Sequence, residues 1–176
     1  MSRPNAVGMA ALVLLIVGNA PAWAQSAKPT DPQIAHIAYT AGTIDIANAQ
    51  LALKKSKNAE VRSFAEDMVR DHTAVNDKAL ALVQKLGVTP QDNPTSQSLV
   101  KQADAERAKL AKLNGAAFNK AYAANEVAYH KAVDNALETT LIPSAQNPEL
   151  KSLLQTGLQI FQGHEQHAEA VAASLK

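Results

Sequence analysis

Apolar residues recur every three to four positions along most of the chain, which is the spacing of one face of an α-helix. The first stripe follows Asp31-Pro32, a pair that supplies a capping side chain and a proline suited to the first helical turn. It predicts helix A, from residue 31 to about residue 57, on these positions: Ile34, Ile37, Ala38, Ala41, Ile44, Asn48, Leu51 and Ala52. The pattern resumes after Asn58, a second capping candidate, and predicts helix B up to Gly87.

Three further helices are predicted in the second half of the chain. They are a shorter helix over about residues 96–113, helix C over about residues 116–141, and helix D from Asn147-Pro148 to about Val171. Pro90 and Pro94 keep the loop before the shorter helix out of helical conformation, and Asn114-Gly115 separates that helix from helix C. No run rich in β-branched residues competes with these helical patterns.

The lengths of the connections predict how the helices are arranged. Helices A and B are separated by only a few residues and helices C and D by about six, so each pair should form an antiparallel hairpin. The shorter helix could carry the chain roughly 27 Å between the hairpins, at 1.5 Å per residue. The sequence therefore predicts an all-α, ferritin-like four-helix bundle: two antiparallel hairpins joined by a long crossover that contains a short extra helix. An up-down bundle with a protruding helical hairpin is the alternative.

The first 24 residues have a different character from the rest of the chain. Arg3 precedes an apolar run over residues 6–17, and the segment ends in Ala22-Trp23-Ala24, a pattern typical of a signal peptide. The run is too short for a membrane span, which needs about 20 residues. We expect cleavage between residues 24 and 25 and a periplasmic or secreted product with no transmembrane segment; an uncleaved anchor is the alternative. A flexible N-terminus (25–30) and one helical bundle domain (31–176) would remain.

Composition excludes several classes of function. Seventeen Lys and Arg residues against sixteen Asp and Glu residues give a net charge of +1, so we expect no nucleic-acid partner. The absence of cysteine excludes disulfides, iron–sulfur clusters, thiolate metal sites and a cysteine nucleophile. The sequence also has no paired nucleophile and base and no phosphate-binding loop, so we do not expect an enzyme. An envelope protein or a second copy of the chain remains a possible partner.

Polar residues interrupt the apolar stripe of every long predicted helix. They are Asp45 on helix A, His72 on helix B, Glu126 and His130 on helix C, and His164 and His167 on helix D. Measured from the nearest hairpin turn at 1.5 Å per residue, Asp45 and His72 lie about 18–21 Å away, and His130 and His164 about 21–26 Å. Both pairs should therefore meet near the middle of a bundle about 40 Å long.

Imidazole and carboxylate groups together are ligands for divalent transition metals such as Zn, Cu, Fe or Mn. The sequence therefore suggests a metal site formed by these six residues, with Asp71 as a neighbour that could orient His72. Because the Glu-x-x-His spacing of di-iron bundles is missing, we do not expect ferroxidase activity. The competing hypothesis is a metal-free, non-catalytic envelope or stress-related binding protein whose buried polar residues only hydrogen-bond to each other.

The same region resembles a known family. The run from Leu51 to Ala65, followed by Met68-Val69-Arg70-Asp71-His72, is similar to the signature of the bacterial exported family called domain of unknown function 4142. Gly115-x-x-Phe118 with Tyr122 and His130 resembles its second block, and His164 resembles its terminal histidine. The resemblance implies a helical, ferritin-like envelope protein, often labelled a predicted outer membrane protein, of unknown activity.

Two positions depart from the pattern of that family. The family usually has Glu where this chain has Asp45, and Asp where it has Asn119. The shorter carboxylate at position 45 keeps its ligand chemistry but reaches one methylene less far. Asn119 cannot serve as an ionised ligand, so the resemblance gives that position no metal-binding role.

Overall fold

A computed structural model describes residues 28–175, and this part of the chain is all-helical, without strands. The helices are α1 (Asp31–Lys55), α2 (Ala59–Lys85), α3 (Pro94–Ala111), α4 (Gly115–Ala136), a π-helical turn (Leu137–Leu141), the short α5 (Ile142–Ser144) and α6 (Pro148–Ser174). The predicted signal peptide, residues 1–24, lies outside the described residues. Within residues 28–175, no helix combines the length and the apolar character needed to cross a membrane.

Capping side chains fix several helix ends where the sequence predicts them. Asn58 Oδ1 accepts a hydrogen bond from the backbone N–H of Val61 at 3.0 Å and begins α2. Asn147 does the same for α6. Gly87 and Gly115 adopt φ angles of 63° and 55°, a left-handed conformation that favours glycine and interrupts a helix. Local sequence chemistry is therefore sufficient to place these boundaries.

Asp31 does not cap α1, contrary to the sequence prediction. Thr30 occupies the N-cap position, and Asp31 is the first helical residue. The carboxylate of Asp31 instead accepts hydrogen bonds at 2.8 Å from the backbone N–H groups of Gln146 and Asn147. These bonds join the start of α1 to the start of α6, and this distant partner is why the local capping prediction is wrong.

Two other helix boundaries differ from the prediction. Helix α3 begins at Pro94, because the Asn93 side chain accepts hydrogen bonds from the next free backbone N–H groups and proline needs no partner in a first turn. Helix C does not remain an α-helix to residue 141. It widens into the π-helical turn just before Pro143, which has no N–H to donate and whose ring crowds the preceding turn.

The most extensive helix contacts run between α1 and α2 and between α4 and α6, the pairs expected from the short connections. Helix α2 also contacts α6, and α3 lies mainly on α1. Two apolar clusters form the core. One contains Val61, Phe64, Met68, Phe118, Tyr122 and Val171, and the other contains Ile34, Ile37, Leu141, Leu150, Leu154 and Phe161. On each long helix the predicted site residues fall between these clusters.

Candidate metal centre

Five of the six predicted site residues are buried together between the two apolar clusters. Helix α1 contributes Asp45, α2 contributes His72, α4 contributes Glu126 and His130, and α6 contributes His164. Their side chains lie on the same face as the apolar stripe of each helix, and each residue is between 0% and 7% exposed. Four separate helices thus bring imidazole and carboxylate groups to one interior position, as the distances from the hairpin turns predict.

The distances between these groups are short. Asp45 Oδ2 lies 2.7 Å from His72 Nε2 and 3.3 Å from His130 Nε2. One ring nitrogen from each of His72, His130 and His164 lies within 4.8 Å of the other two. Asp45, Glu126 and His130 form a second group of the same compactness. The two groups share His130, so they are parts of one cluster that could hold a metal ion.

Two of the histidines, His130 and His164, each make a hydrogen bond to an oxygen acceptor through one ring nitrogen only. The Nδ1 atom of His130 lies 3.0 Å from the backbone carbonyl of Glu126, which can only accept, so Nδ1 is the donor. The Nε2 atom of His164 lies 3.0 Å from Asp71 Oδ2 and likewise donates to that carboxylate. The opposite nitrogens, His130 Nε2 and His164 Nδ1, are buried and have no hydrogen-bond partner. His164 Nδ1 therefore directs a lone pair into the protein interior, whereas His130 Nε2 faces the carboxylate of Asp45 at 3.3 Å.

His72 and Asp45 are close but poorly aligned. Despite the 2.7 Å separation, the angle between the groups does not allow a hydrogen bond, and both nitrogens of His72 and both oxygens of Asp45 lack hydrogen-bond partners. The His72 ring stacks on Phe161, with ring centres 4.5 Å apart and planes 9° from parallel. Packing thus fixes the orientation of an imidazole whose polar atoms are left unsatisfied.

Burial and the neighbouring charges shift the pKa values in this cluster. Burial alone would raise the pKa of Asp45, but His72 and His130 hold it far below its usual range. Burial and the charge of Asp45 raise the pKa of Glu126 well above its usual value. Burial, together with His72 and His130, lowers the pKa of His164 to about 4. At neutral pH the cluster therefore holds an ionised Asp45 and a neutral His164, and Glu126 holds its proton more strongly than an ordinary carboxyl group does.

His130 shifts in the opposite direction from His164. Burial lowers its pKa, but the contacts with Asp45 and the hydrogen bond to the Glu126 carbonyl outweigh burial and raise the pKa above its usual value. A proton therefore competes with any metal ion for His130 more strongly than for an ordinary imidazole.

The structure separates His167 from the cluster and gives Asp71 a different neighbour. The His167 side chain is 40% exposed, its Nδ1 lies 3.8 Å from Asp67 Oδ2, and its ring packs edge-on against Phe64. Asp71 was expected to orient His72, but its carboxylate contacts His164 on α6. Side chains of adjacent helical residues point about 100° apart, so Asp71 faces α6 while His72 faces the core.

Two buried polar residues near the cluster are not among the sequence candidates. Asp134 is 5% exposed, both of its carboxylate oxygens lack hydrogen-bond partners, and burial together with Glu165 raises its pKa to about 6. Asn48 is 3% exposed and its Oδ1 also has no partner. A signal for Asp134 is present in the sequence, because it follows Glu126 and His130 at four-residue intervals on one helix face.

Comparison with known proteins places the chain in a family. No curated protein and no solved structure matches it significantly. The family model described as "Domain of unknown function (DUF4142)" matches residues 18–171, which is most of the sequence, and agrees with the resemblance seen around His72 and His130. The chain therefore belongs to the DUF4142 family.

Proposed function

We propose that this protein binds one divalent transition-metal ion, with Asp45, His72, His130 and His164 as its ligands. The observation that carries this proposal is the state of the ring nitrogens. In His130 and His164 one nitrogen donates to an oxygen acceptor, while the other is buried without a hydrogen bond; in His130 that second nitrogen faces Asp45 Oδ2 at 3.3 Å. Metal-binding histidines have this arrangement, because the outer hydrogen bond fixes the tautomer and orients the lone pair toward the ion.

The donor set favours particular metals. Three imidazole nitrogens and one carboxylate oxygen suit Zn, Cu, Fe or Mn, and the absence of sulfur ligands disfavours soft Cu(I). Glu126 is a reserve ligand, because burial and Asp45 raise its pKa and a cation would compete with the proton for this carboxyl group. Binding of a divalent ion would also compensate the negative charge of buried Asp45. We therefore propose storage, buffering or sensing of a metal ion rather than catalysis.

A metal-free polar core accounts less well for the same residues. Buried polar groups with a purely structural role normally satisfy one another by hydrogen bonds. Here Asp45 and His72 leave all four of their polar side-chain atoms without hydrogen-bond partners. The cost of burying such groups is about 1–3 kcal/mol each, which a bound cation would offset. A metal-free envelope binding protein remains the competing function.

We also propose that the helices form a ferritin-like four-helix bundle. The α1–α2 and α4–α6 pairs would be the two hairpins, and α3 would be the crossover between them. This arrangement supports the metal proposal because facing helices of such bundles supply ligands to one interior point.

Export to the periplasm is a further part of the proposal. It is supported by the charged start, the short apolar run and the Ala22-Trp23-Ala24 ending of residues 1–24. The test is the intact mass of the protein recovered from the periplasmic fraction of a bacterial host. A mature chain that begins at Gln25 is expected, whereas a full-length chain retained in the membrane would contradict export.

Elemental analysis of untagged protein tests metal binding. Wild-type protein is compared with the double variant His72→Ala/His164→Ala and with a matched control, His36→Ala/His167→Ala. The control also removes two histidines, but both are partly exposed and outside the cluster. After loading and desalting, we expect about one ion per chain in the wild type and the control and almost none in the first variant. Equal metal content in all three proteins would contradict the proposal.

A further inference from the structure

An apolar cavity of about 730 Å³ lies beside the metal centre, between α1, α2, α3, α4 and α6. Its walls are mainly aliphatic and include Ile37, Ile44, Val75, Leu99, Val133 and Leu154. Phe161 lines the cavity and also stacks on His72, so its ring forms part of the wall between the cavity and the metal centre. A cavity of this size and character is typical of a small-molecule binding site.

The cavity extends along α1. Along α1 its lining runs from Gln33 to Asn48, which corresponds to about 22 Å at 1.5 Å per residue. This length accepts one extended hydrocarbon chain lying along the helix axes.

The polar groups of the cavity indicate the headgroup. Asn48, at the inner end of the lining, is buried and its Oδ1 has no hydrogen-bond partner, so this atom can accept a proton donor from a ligand. No lysine or arginine is among the described residues that line the cavity, and its one charged lining residue is Glu106 on α3. A carboxylate or phosphate headgroup would find no counter-charge here, whereas a neutral hydroxyl would find an acceptor.

We propose that this cavity binds one neutral, single-chain, hydroxyl-bearing lipid-like molecule, with its hydrocarbon chain along the cavity and its hydroxyl donating to Asn48 Oδ1. Asn48 and the aliphatic walls are not among the four proposed metal ligands, so the two sites can be tested separately. It assigns a second binding site to the same helical framework.

The probes for this site are 1-decanol and its methyl ether, 1-methoxydecane, competing with the fluorescent apolar probe N-phenyl-1-naphthylamine. We expect saturable displacement at one site per chain, with the alcohol bound about fivefold more tightly because the ether cannot donate a hydrogen bond. In Asn48→Leu the two compounds should bind equally well, with the affinity for the ether retained. An unchanged preference for the alcohol in Asn48→Leu would overturn the assignment of the headgroup.

A pair of matched variants tests the place of binding. Ala132 and Ala124 are both exposed alanines on α4, two turns apart, but only Ala132 lines the cavity. We expect Ala132→Phe to weaken 1-decanol binding at least about tenfold and Ala124→Phe to leave it unchanged. Equal effects of the two variants, or no saturable binding by the wild type, would overturn the proposal.

Two further measurements separate a lipid-binding cavity from a dimer interface and from the metal centre. Light scattering with and without 1-decanol shows whether a second copy of the chain covers the cavity. A dimer that does not bind 1-decanol and that does not dissociate when the alcohol is added would contradict the proposal. Titrations repeated after a chelator has removed metal ions should give the same affinity for 1-decanol. A protein that binds no metal can therefore still bind the alcohol, and the two proposals can fail separately.

Discussion

At the scale of single residues, Asp71 and Asp67 on α2 form a matched pair for mutagenesis. Both carboxylates pair with Arg70, but only Asp71 also contacts His164, whereas Asp67 lies near His167 outside the cluster. We expect Asp71→Ala to lower metal affinity about 10–100-fold, because His164 loses the partner that fixes its tautomer. Competition with a chromophoric chelator measures this affinity. Asp67→Ala is the control, and an equal loss in both variants would show that the effect comes from Arg70.

Asp134 should make stability depend on pH. Its carboxyl has a pKa of about 6 in the folded protein against 3.8 normally, so the folded state binds more protons between these values. The free energy of unfolding therefore falls as pH rises through this range, by up to about 3 kcal/mol for this residue. Asn cannot ionise, so we expect Asp134→Asn to be more stable than the wild type at pH 7.5 by up to that amount.

Urea unfolding in the presence of a chelator measures this difference. Below pH 3.8 the wild-type carboxyl is protonated in both folded and unfolded chains, so the advantage of Asp134→Asn should disappear there. Asp77→Asn, an exposed position on α2, is the control and should change stability little at either pH. An advantage of Asp134→Asn that persists at low pH would show that its cause is packing and not ionisation.

Most of the buried cluster could be predicted at this scale, because a polar residue in the middle of an apolar helical stripe is carried into the core with its apolar neighbours. Asp45, His72 and His164 are of this kind. The contact between Asp71 and His164 could not be predicted, since it depends on which side of α2 faces α6. The exposure of His167 could not be predicted for the same reason. Whether a residue at the edge of an apolar stripe is buried depends on how the neighbouring helix packs against it.

At the scale of elements, the close approach of α1 and α2 depends on Gly42. A Cβ atom at this position would lie 2.4 Å from Oδ1 and 3.0 Å from Cγ of the buried Asn76 side chain. We expect Gly42→Ala to destabilise the protein by about 1–3 kcal/mol, because the whole amide group or the helix must move. Chemical denaturation provides the measurement.

Gly163 on α6 provides the matched control for this prediction. A Cβ atom there would meet nothing within 4 Å, so Gly163→Ala gains the higher helix propensity of alanine and should stabilise the protein by about 0.5–1 kcal/mol. If both substitutions stabilised the protein, the α1–α2 contact would not explain Gly42.

Sequence periodicity and capping predict the number and order of the long helices, because both depend on residues close together in the chain. The starts of α2 and α6 follow directly from Asn58 and Asn147. The errors occur where a distant or subtler interaction decides the structure. Asp31 bonds to backbone groups more than a hundred residues away, and the turn before Pro143 widens into a π-helix.

At the scale of the whole molecule, two apolar clusters hold the four long helices on either side of the polar cluster. If the polar cluster binds a metal ion as proposed, that binding should stabilise the folded state. We expect Zn²⁺ at a fixed concentration, 100 times its dissociation constant at pH 7.5, to add about 2.7 kcal/mol to the free energy of unfolding at that pH. The gain should shrink between pH 7.5 and pH 5, because protons compete for His130, whose pKa is raised.

Thermal denaturation with and without Zn²⁺ at the two pH values tests this expectation. The variant His72→Ala/His164→Ala should show no gain at either pH. A gain of the same size at pH 5 and pH 7.5 would contradict binding through imidazole nitrogens.

Anomalous X-ray diffraction from crystals of the Zn²⁺-loaded protein, measured on both sides of the zinc absorption edge, tests the central claim most directly. We expect one strong peak per chain in the core, about 2.0–2.2 Å from an oxygen of Asp45 and from one ring nitrogen each of His72, His130 and His164. For His164 the coordinating atom should be Nδ1, because Nε2 contacts Asp71. A core without a peak in crystals that bind zinc elsewhere, for example at His36 or His167, would contradict the metal centre.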